Sequence, residues 1–291
     1  MKLSIITINY NNREGLRKTL ESVKIQTTRE FEYIVIDGGS TDGSVDVIKE
    51  YADIIDHWVS EPDKGIYNAM NKGVAAAHGE YCQFLNSGDW LYDENVINTI
   101  IPYLGNNIDI LTGYTNVIDS SGKLTRRVKG SPKYLSLPRL LNKSLSHPSS
   151  YIKTILLHQF PYDENMKIAA DWKFFVESYV SEARYAHIEL DIAIFDTTGI
   201  SSTMTTQIKA EEEEVRNSIA HPILMQEIEH IPTEIINSFR RIPDSYRLQS
   251  LISRIVAGIL SIYFMFKPTK TINMKDLPRV TPPIMLKKKS R

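Results

Sequence analysis

The chain has one cysteine among 291 residues, no surplus of either charge and no apolar run long enough to cross a bilayer. Each scarcity removes a class of function. Cys82 sits in the apolar run Tyr81-Cys-Gln-Phe-Leu85, so neither an intrachain disulfide nor a thiolate metal site is available, and a buried structural thiol is expected. A formal net charge of -1 speaks against nucleic acid as a partner. Met1-Lys-Leu-Ser-Ile-Ile-Thr-Ile8 runs straight into polar Asn9-Tyr-Asn-Asn12, which is no secretory signal, and the expected compartment is the cytoplasm. The most apolar stretch, Ile255 to Phe266, is 12 residues. A span needs about 20.

What is present is an ordinary globular composition, 42% hydrophobic and 24% charged. Short β-branched runs at Leu3–Ile8, Tyr33–Ile36, Ile54–Val59, Tyr81–Leu85 and Ile108–Tyr114 read as strands. Between them, Leu16, Leu20 and Val23, then Val45, Ile48 and Ala52, recur at helical spacing, and further helices fit Gly65–Ala77 and Asp93–Ile101. This alternation predicts an α/β fold with a mostly parallel, twisted sheet flanked by helices. Ligands of such sheets sit at the carboxyl ends of the strands. Asn9–Asn12, Asp37–Asp42, Glu61–Gly65 and Asn86–Asp89 all follow strands and converge on that edge.

From Ser120 the pattern loosens. The basic stretch Lys123–Lys133, Pro132, Pro138 and Ser146-His-Pro-Ser-Ser150 read as loop and acceptor-facing structure. A helix is expected over Ala170–Ser181 and a strand over Tyr185–Ile194. The four acids Glu211–Glu214 read as the solvated start of a helix, where acids are favoured. Asp244–Lys267 reads as helical throughout.

Several polar clusters could carry chemistry, and each has a plainer reading beside it. In Asp37-Gly-Gly-Ser-Thr-Asp-Gly43 an aspartate at a strand end can accept hydrogen bonds from a ribose or base, or the segment is a turn with Ser40–Asp42 capping a helix. Asn86-Ser-Gly-Asp89 can offer oxygen ligands to a hard cation, or is a β-turn. Asn68, Asn71 and Lys72 share a helix face and can contact base, ribose or phosphate, or face water. Asp171 suits a general base as well as a helix N-cap. His147 suits acceptor, diphosphate or metal, and equally loop packing.

Taken in order, Ser4-Ile-Ile-Thr-Ile-Asn-Tyr-Asn11, Val35-Ile-Asp-Gly-Gly-Ser-Thr-Asp42, Ser60-Glu-Pro-Asp-Lys-Gly-Ile-Tyr67, Met70-Asn-Lys-Gly73 and Leu85-Asn-Ser-Gly-Asp89 resemble glycosyltransferase family 2, whose members have the GT-A fold. The resemblance implies an inverting enzyme that moves a sugar from a nucleotide-sugar, with a UDP-sugar as first expectation, to a saccharide or lipid-linked acceptor in cell-surface polysaccharide or glycolipid synthesis. It implies nucleotide contacts from Thr7, Asn9, Asp37, Asp63, Asn71, Asn86 and Ser87. Asp89 would hold Mn²⁺ or Mg²⁺. The family's metal motif is Asp-X-Asp, and here only the last acid is kept. The segment Phe160–Phe175 resembles the acceptor-side motif, making Asp171 the general base. A nucleotidyltransferase would show a glycine-rich basic loop after the first strand, which Asn9–Asn12 is not, and a silent nucleotide-sugar-binding protein would bind donor without hydrolysing it.

The expected organisation is a GT-A-like catalytic domain over residues 1–205, with a nucleotide-sugar half (1–115) and an acceptor half (116–205), followed by a helical C-terminal extension (206–291). Arg240, Arg241, Arg247, Arg254, Lys267 and Lys270 flank the apolar stretch, so residues 244–270 are read as a peripheral contact with the inner face of an anionic membrane, or as a helix packed on protein.

Overall fold

The computed structural model describes residues 1–105, 107–131, 135, 137–196, 205–219 and 284–286. In chain order the elements are β1 (Leu3–Asn9), α1 (Arg13–Lys24), β2 (Phe31–Asp37), α2 (Ser44–Glu50), β3 (His57–Ser60), α3 (Ile66–Ala76), β4 (Tyr81–Phe84), β5 (Trp90–Leu91), α4 (Val96–Ile100), β6 (Ile110–Ile118), β7 (Leu124–Lys129), α5 (Leu137–Asn142), β8 (Ser150–Lys153), α6 (Thr154–Gln159), α7 (Ala170–Val180), β9 (Tyr185–Asp196), α8 (Thr205–Ile219) and β10 (Ile284–Leu286).

One sheet joins the strands in the order β10-β9-β6-β8-β4-β1-β2-β3, with β5 on β9 and β7 on β6 off this path. Along the path only β8 runs against its neighbours. β1 and β2 are buried at every position, as expected of parallel strands covered by helices on both faces. Helix α1 lays Leu16, Leu20 and Val23 on the sheet, joining a core with Leu3, Ile5, Tyr33 and Val35. Helix α3 covers the strands with Tyr67, Met70 and Val74. It comes so close that a Cβ on Gly73 would stand 2.5 Å from Ile6 Cγ2, so the glycine is needed there.

Strand register builds the polar edge. In the parallel pairing Asn9 stands beside Asp37, and Asp37 beside Ser60. Three polar strand-end residues therefore lie side by side at the carboxyl edge. Ser87 N–H continues the edge by bonding Ile8 O at 3.0 Å.

Several expectations need correction. The third strand starts at His57 rather than Ile54, because Tyr51–Ile54 closes a turn and Asp56 takes Tyr33 N–H on its side chain at 2.7 Å. Part of the basic stretch read as loop is β7, an exposed strand hydrogen-bonded to β6 after the Asp119–Gly122 turn. Its charges do not prevent pairing, since Arg127 lies 3.6 Å over the Tyr114 ring and forms a double hydrogen bond with Asp191. β8 and α6 follow directly on the Ser-His-Pro-Ser-Ser segment.

Several elements lie across or beside the divisions read from the sequence. β6 runs through the boundary placed at 115/116, so one sheet serves both halves. α8 begins at Thr205, one residue before the expected extension, and packs on α7, which makes residues 206–219 part of the compact unit that starts at Met1. In the extension read as helical, Ile284–Leu286 is a strand paired with β9. The stretch 244–270, with its expected membrane contact, lies outside the described residues. Among the described residues no helix is long and apolar enough to cross a membrane.

Candidate active site

The carboxyl edge of the parallel strands gathers the loops that the sequence nominated, but their side chains divide into those that build the edge and those that face it. Asp37 is a builder. It is fully buried, with Oδ1 accepting from Asn9 Nδ2 at 2.7 Å and Ser40 Oγ at 2.6 Å, and Oδ2 accepting from Ser40 N–H at 2.9 Å and Ser60 Oγ at 2.6 Å. Burial alone would raise its pKa; the hydrogen bonds from Ser40, Ser60 and Asn9 outweigh it and hold the carboxyl below its ordinary range. With its oxygens so occupied, Asp37 holds the loop that follows β2. Asp42 likewise accepts from Ser44 N–H and Oγ at the start of α2 and from Arg13 N–H at the start of α1.

Thr7 is a builder as well. Its side chain is fully buried, with Oγ1 donating to Leu85 O at 2.8 Å and meeting Tyr33 OH at 2.9 Å, inside the sheet rather than at its edge. Asn71 is likewise engaged within the protein. Its Nδ2 donates to Tyr162 O and Glu164 Oε1 and its Oδ1 accepts Tyr162 N–H, so the amide clamps the 162–164 segment onto α3. Asn68 holds the other Glu164 oxygen, and Lys72 pairs with Glu61.

Asn9, Asp63, Asn86, Ser87 and Asp89 remain at the edge. Asn9 Oδ1 is buried and accepts no hydrogen bond. Asp63 accepts Gly65 N–H on Oδ1, and its Oδ2 fills the space a side chain on Gly38 would need, 2.5 Å from that Cβ position and next to exposed Tyr10. The loop 86–89 is fastened by backbone contacts from α1. Asn12 Nδ2 donates to Ser87 O at 2.9 Å, while Thr19 Oγ donates to Asp89 O at 2.7 Å and accepts Gly88 N–H at 3.0 Å. Of the side chains, Ser87 Oγ lies 3.4 Å from Asn12 Nδ2, Asn86 Oδ1 takes no hydrogen bond and Asp89 is buried.

The buried Asp89 carboxyl is pushed well above its ordinary range, first by burial and further by the Asp196 carboxylate, although it accepts Asp196 N–H. Asn86 Oδ1 is buried and unpaired. An acid destabilised as an anion, beside a second acid and an orphan oxygen acceptor, has the chemistry that a hard divalent cation would satisfy. Among the described residues no three His, Cys, Asp or Glu side chains gather to hold a metal by themselves. The donors therefore fit an ion shared with a diphosphate, which Mg²⁺ in particular tends to be. Asp196 lies in the segment Phe195-Asp-Thr-Thr-Gly-Ile-Ser-Ser202, which resembles the family's late glycine-serine loop and to which the sequence assigned no catalytic role.

Asp171 stands in the first turn of α7, partly exposed, and accepts Tyr67 OH from α3 on Oδ1 at 3.0 Å. Ala169, not Asp171, is the N-cap, so the capping alternative does not describe this residue. Burial and the Asp171 charge push the Tyr67 hydroxyl well above its ordinary pKa, which keeps it a donor. His147 is a packing residue. It is buried, stacked on Phe84 at 5.0 Å, with Nε2 2.8 Å from Tyr162 OH, and burial lowers its pKa against the pull of Asp171. Cys82 is buried as expected, its Sγ 3.3 Å from Thr154 Oγ and its thiol pushed up to about 12 by burial.

The model of the family described as "Glycosyl transferase family 2" matches residues 4–161. An uncharacterised glycosyltransferase of Mycobacterium tuberculosis is 33% identical over 204 residues, covering 69% of this chain and 77% of the relative. A PGL/p-HBAD biosynthesis glycosyltransferase of Mycobacterium bovis is 31% identical over 195 residues, or 64% and 73% of the two chains. Among solved structures, glucosyl-3-phosphoglycerate synthase from Mycobacterium tuberculosis, in complex with Mg²⁺ and UDP, superposes with a TM-score of 0.53 at 15% identity, over 76% of this chain and 81% of that one. At that identity the likeness speaks for the fold, which is GT-A.

Proposed function

The chain belongs to glycosyltransferase family 2, and from that premise we propose that it moves a sugar from a UDP-sugar, with inversion, onto a hydroxyl of a saccharide or lipid-linked acceptor. The observation that carries this reading is the presence of two carboxylates in contrasting settings. Asp89 is buried and raised, and Asp171 is partly exposed and held by a single tyrosine hydroxyl.

The nucleotide would lie along the strand ends, against Asn9, Asp63, Asn86 and Ser87, in loops kept rigid by Asp37. Mg²⁺ or Mn²⁺ held by Asp89 and the Asn86 oxygen would offset the diphosphate charge. Asp171 would take the proton of the acceptor hydroxyl as its oxygen bonds the anomeric carbon. The bond from that carbon to the diphosphate breaks on the opposite face, UDP leaves, and the configuration inverts. Tyr67 keeps the Asp171 carboxylate turned toward the acceptor. A role in cell-surface polysaccharide or glycolipid synthesis is supported by the role named for the Mycobacterium bovis relative, and the work would then take place at the inner face of the cell membrane.

The test is to incubate the protein with UDP- and GDP-sugars, Mn²⁺ and a panel of octyl glycosides, and to measure nucleotide release and the product anomer. Release is expected from a UDP-sugar with an inverted product. Asp171→Asn should bind UDP as the parent does and transfer nothing; undiminished transfer by that variant would remove Asp171 from the mechanism.

A further inference from the structure

Glu211 opens the run of four acids, which a solvated helix face would leave exposed. The structure turns only Glu211 inward. It is 7% exposed, while Glu213 and Glu214 face solvent and Glu212 pairs with Arg216 at 3.2 Å. Gln207, Glu211 and Val215 recur at four-residue spacing and so share a face of α8, where Val215 is buried and Gln207 Nε2 donates to Glu211 Oε1 at 3.2 Å.

The Glu211 carboxylate meets the three residues that lead into α7. Oε1 accepts Lys167 N–H at 2.9 Å, and Oε2 accepts Ile168 N–H at 2.8 Å and Ala169 N–H at 3.0 Å. Ala169, the N-cap, offers no side-chain hydrogen bond of its own. Two residues further on, Asp171 Oδ1 accepts the Tyr67 hydroxyl from α3. Three consecutive backbone amides are thus committed to one side chain from another helix, and the catalytic candidate two residues on is tied to a third. Hydrogen bonds to a charged acceptor are the stronger kind, and a carboxylate at a helix N-terminus is favoured by the helix dipole as well.

We propose that Glu211 is a positioning residue for transfer: by gripping residues 167–169 from α8, it sets the entry angle of α7 and with it the place of Asp171 opposite Tyr67. The proposal rests on the reading of Asp171 as base. The Glu211 carboxylate is spent on residues 167–169 and Gln207. Its removal should therefore lower the rate of the chemical step while leaving nucleotide binding, which belongs to the strand-end loops, as it was.

The experiment compares the parent, Glu211→Ala, Glu211→Gln and Asp171→Asn in the full-length chain, using the UDP-sugar and octyl glycoside pair that gives the fastest UDP release. It reads kcat, donor KM, the Kd of UDP with Mn²⁺, and the exchange of the 167–171 amides by mass spectrometry, all below the melting temperature of each variant. Glu211→Ala is expected to lose at least tenfold in kcat and to exchange these amides faster, with donor KM and UDP Kd within twofold of the parent. Glu211→Gln keeps one accepting oxygen and should recover part of the rate. Full kcat in Glu211→Ala overturns the proposal, as does a loss of UDP affinity that matches the loss of kcat, which would make Glu211 a support of the whole fold. Should Asp171→Asn still transfer, the base assignment fails first and the proposal with it, whatever Glu211→Ala does.

Discussion

Asp37→Asn separates a builder from a binder, because the two roles predict opposite outcomes. In the parent, both carboxylate oxygens accept two hydrogen bonds each, from Asn9, Ser40 and Ser60, at a position with no solvent exposure. An asparagine keeps one oxygen. Its amide nitrogen must then face two donors, whichever way the group is turned. One of those pairs is Asn9 Nδ2 with Ser40 Oγ, the other Ser40 N–H with Ser60 Oγ. Only the hydroxyls can rotate to accept.

Hydrogen bonds to a charged group are worth about 1.5–3 kcal/mol each, and a buried donor left unpaired costs about 1–3 kcal/mol more. Allowing one hydroxyl to rescue its contact, the variant should lose about 3–5 kcal/mol of stability. In a unit of this size each kcal/mol moves the melting temperature by about 2–4 °C, so a drop of about 6–20 °C is expected by calorimetry. The loops would loosen together, but well below the melt the Kd of UDP with Mn²⁺ should stay within about threefold, since no ligand contact is removed. A variant that melts within about 2 °C of the parent yet loses UDP binding tenfold would refute this reasoning and return Asp37 to the ligand.

Tyr67→Phe keeps the ring beside Tyr162, at 5.7 Å between centroids, but removes the hydroxyl that holds Asp171. Transfer should slow about tenfold, on the scale of one hydrogen bond to a charged group, with UDP affinity unchanged, and a kcat within twofold of the parent would count against the tether. Asp89→Asn should abolish the gain in UDP affinity that Mn²⁺ gives the parent in titration calorimetry; an equal gain in both proteins would move the metal elsewhere. Asp109 tests acid stability. Against the upward push of burial, Arg184 and Lys153 hold it at about 2, below its ordinary 3.8. Its folded pKa is lowered, so its contribution is present at neutral pH and lost as pH falls from about 4 through 2. With Arg184 partly in solvent that contribution is about 1 kcal/mol. The stability difference between the parent and Asp109→Asn in urea melts should therefore vanish near pH 2, and a constant difference would refute the assignment.

The donor edge was legible in the sequence because its strands are apolar runs that stop abruptly at polar residues. β1, β2 and β4 are buried throughout, so the first polar residue after each must mark the end of the covered sheet. The direction in which those polar side chains turn was not legible. Thr7 and Asp37 turn inward because neighbouring strands bring Tyr33, Asn9 and Ser60 to them, and such partners are set by register across the sheet. β7 and β8 were missed for a related reason. Neither Leu124–Lys129 nor Ser150–Lys153 is an apolar run, and both are stabilised as strands by pairing with β6, and β8 also by β4. Glu211 carried a signal after all, since Val215 lies one turn beyond it on the same helix face. Four consecutive acids concealed it, because their spacing shows no face of their own.

The two halves of the site are therefore held by different means, and this bears on how each can vary. The proposed nucleotide edge is built from strand ends locked by a buried carboxylate, so a change there is expected to fall on stability before it reaches a ligand. The proposed base, Asp171, stands on a helix whose lead-in is held by Glu211 of α8, and its carboxylate is held by Tyr67 of α3. Small adjustments of those contacts would move the carboxylate relative to the acceptor without disturbing the sheet. A family 2 chain arranged in this way can retain its donor while its acceptor changes. Substitutions that alter acceptor choice are accordingly expected around α7 and its supports, and those that alter the nucleotide around Asp63 and Gly38, where one carboxylate already stands in the space of a missing side chain.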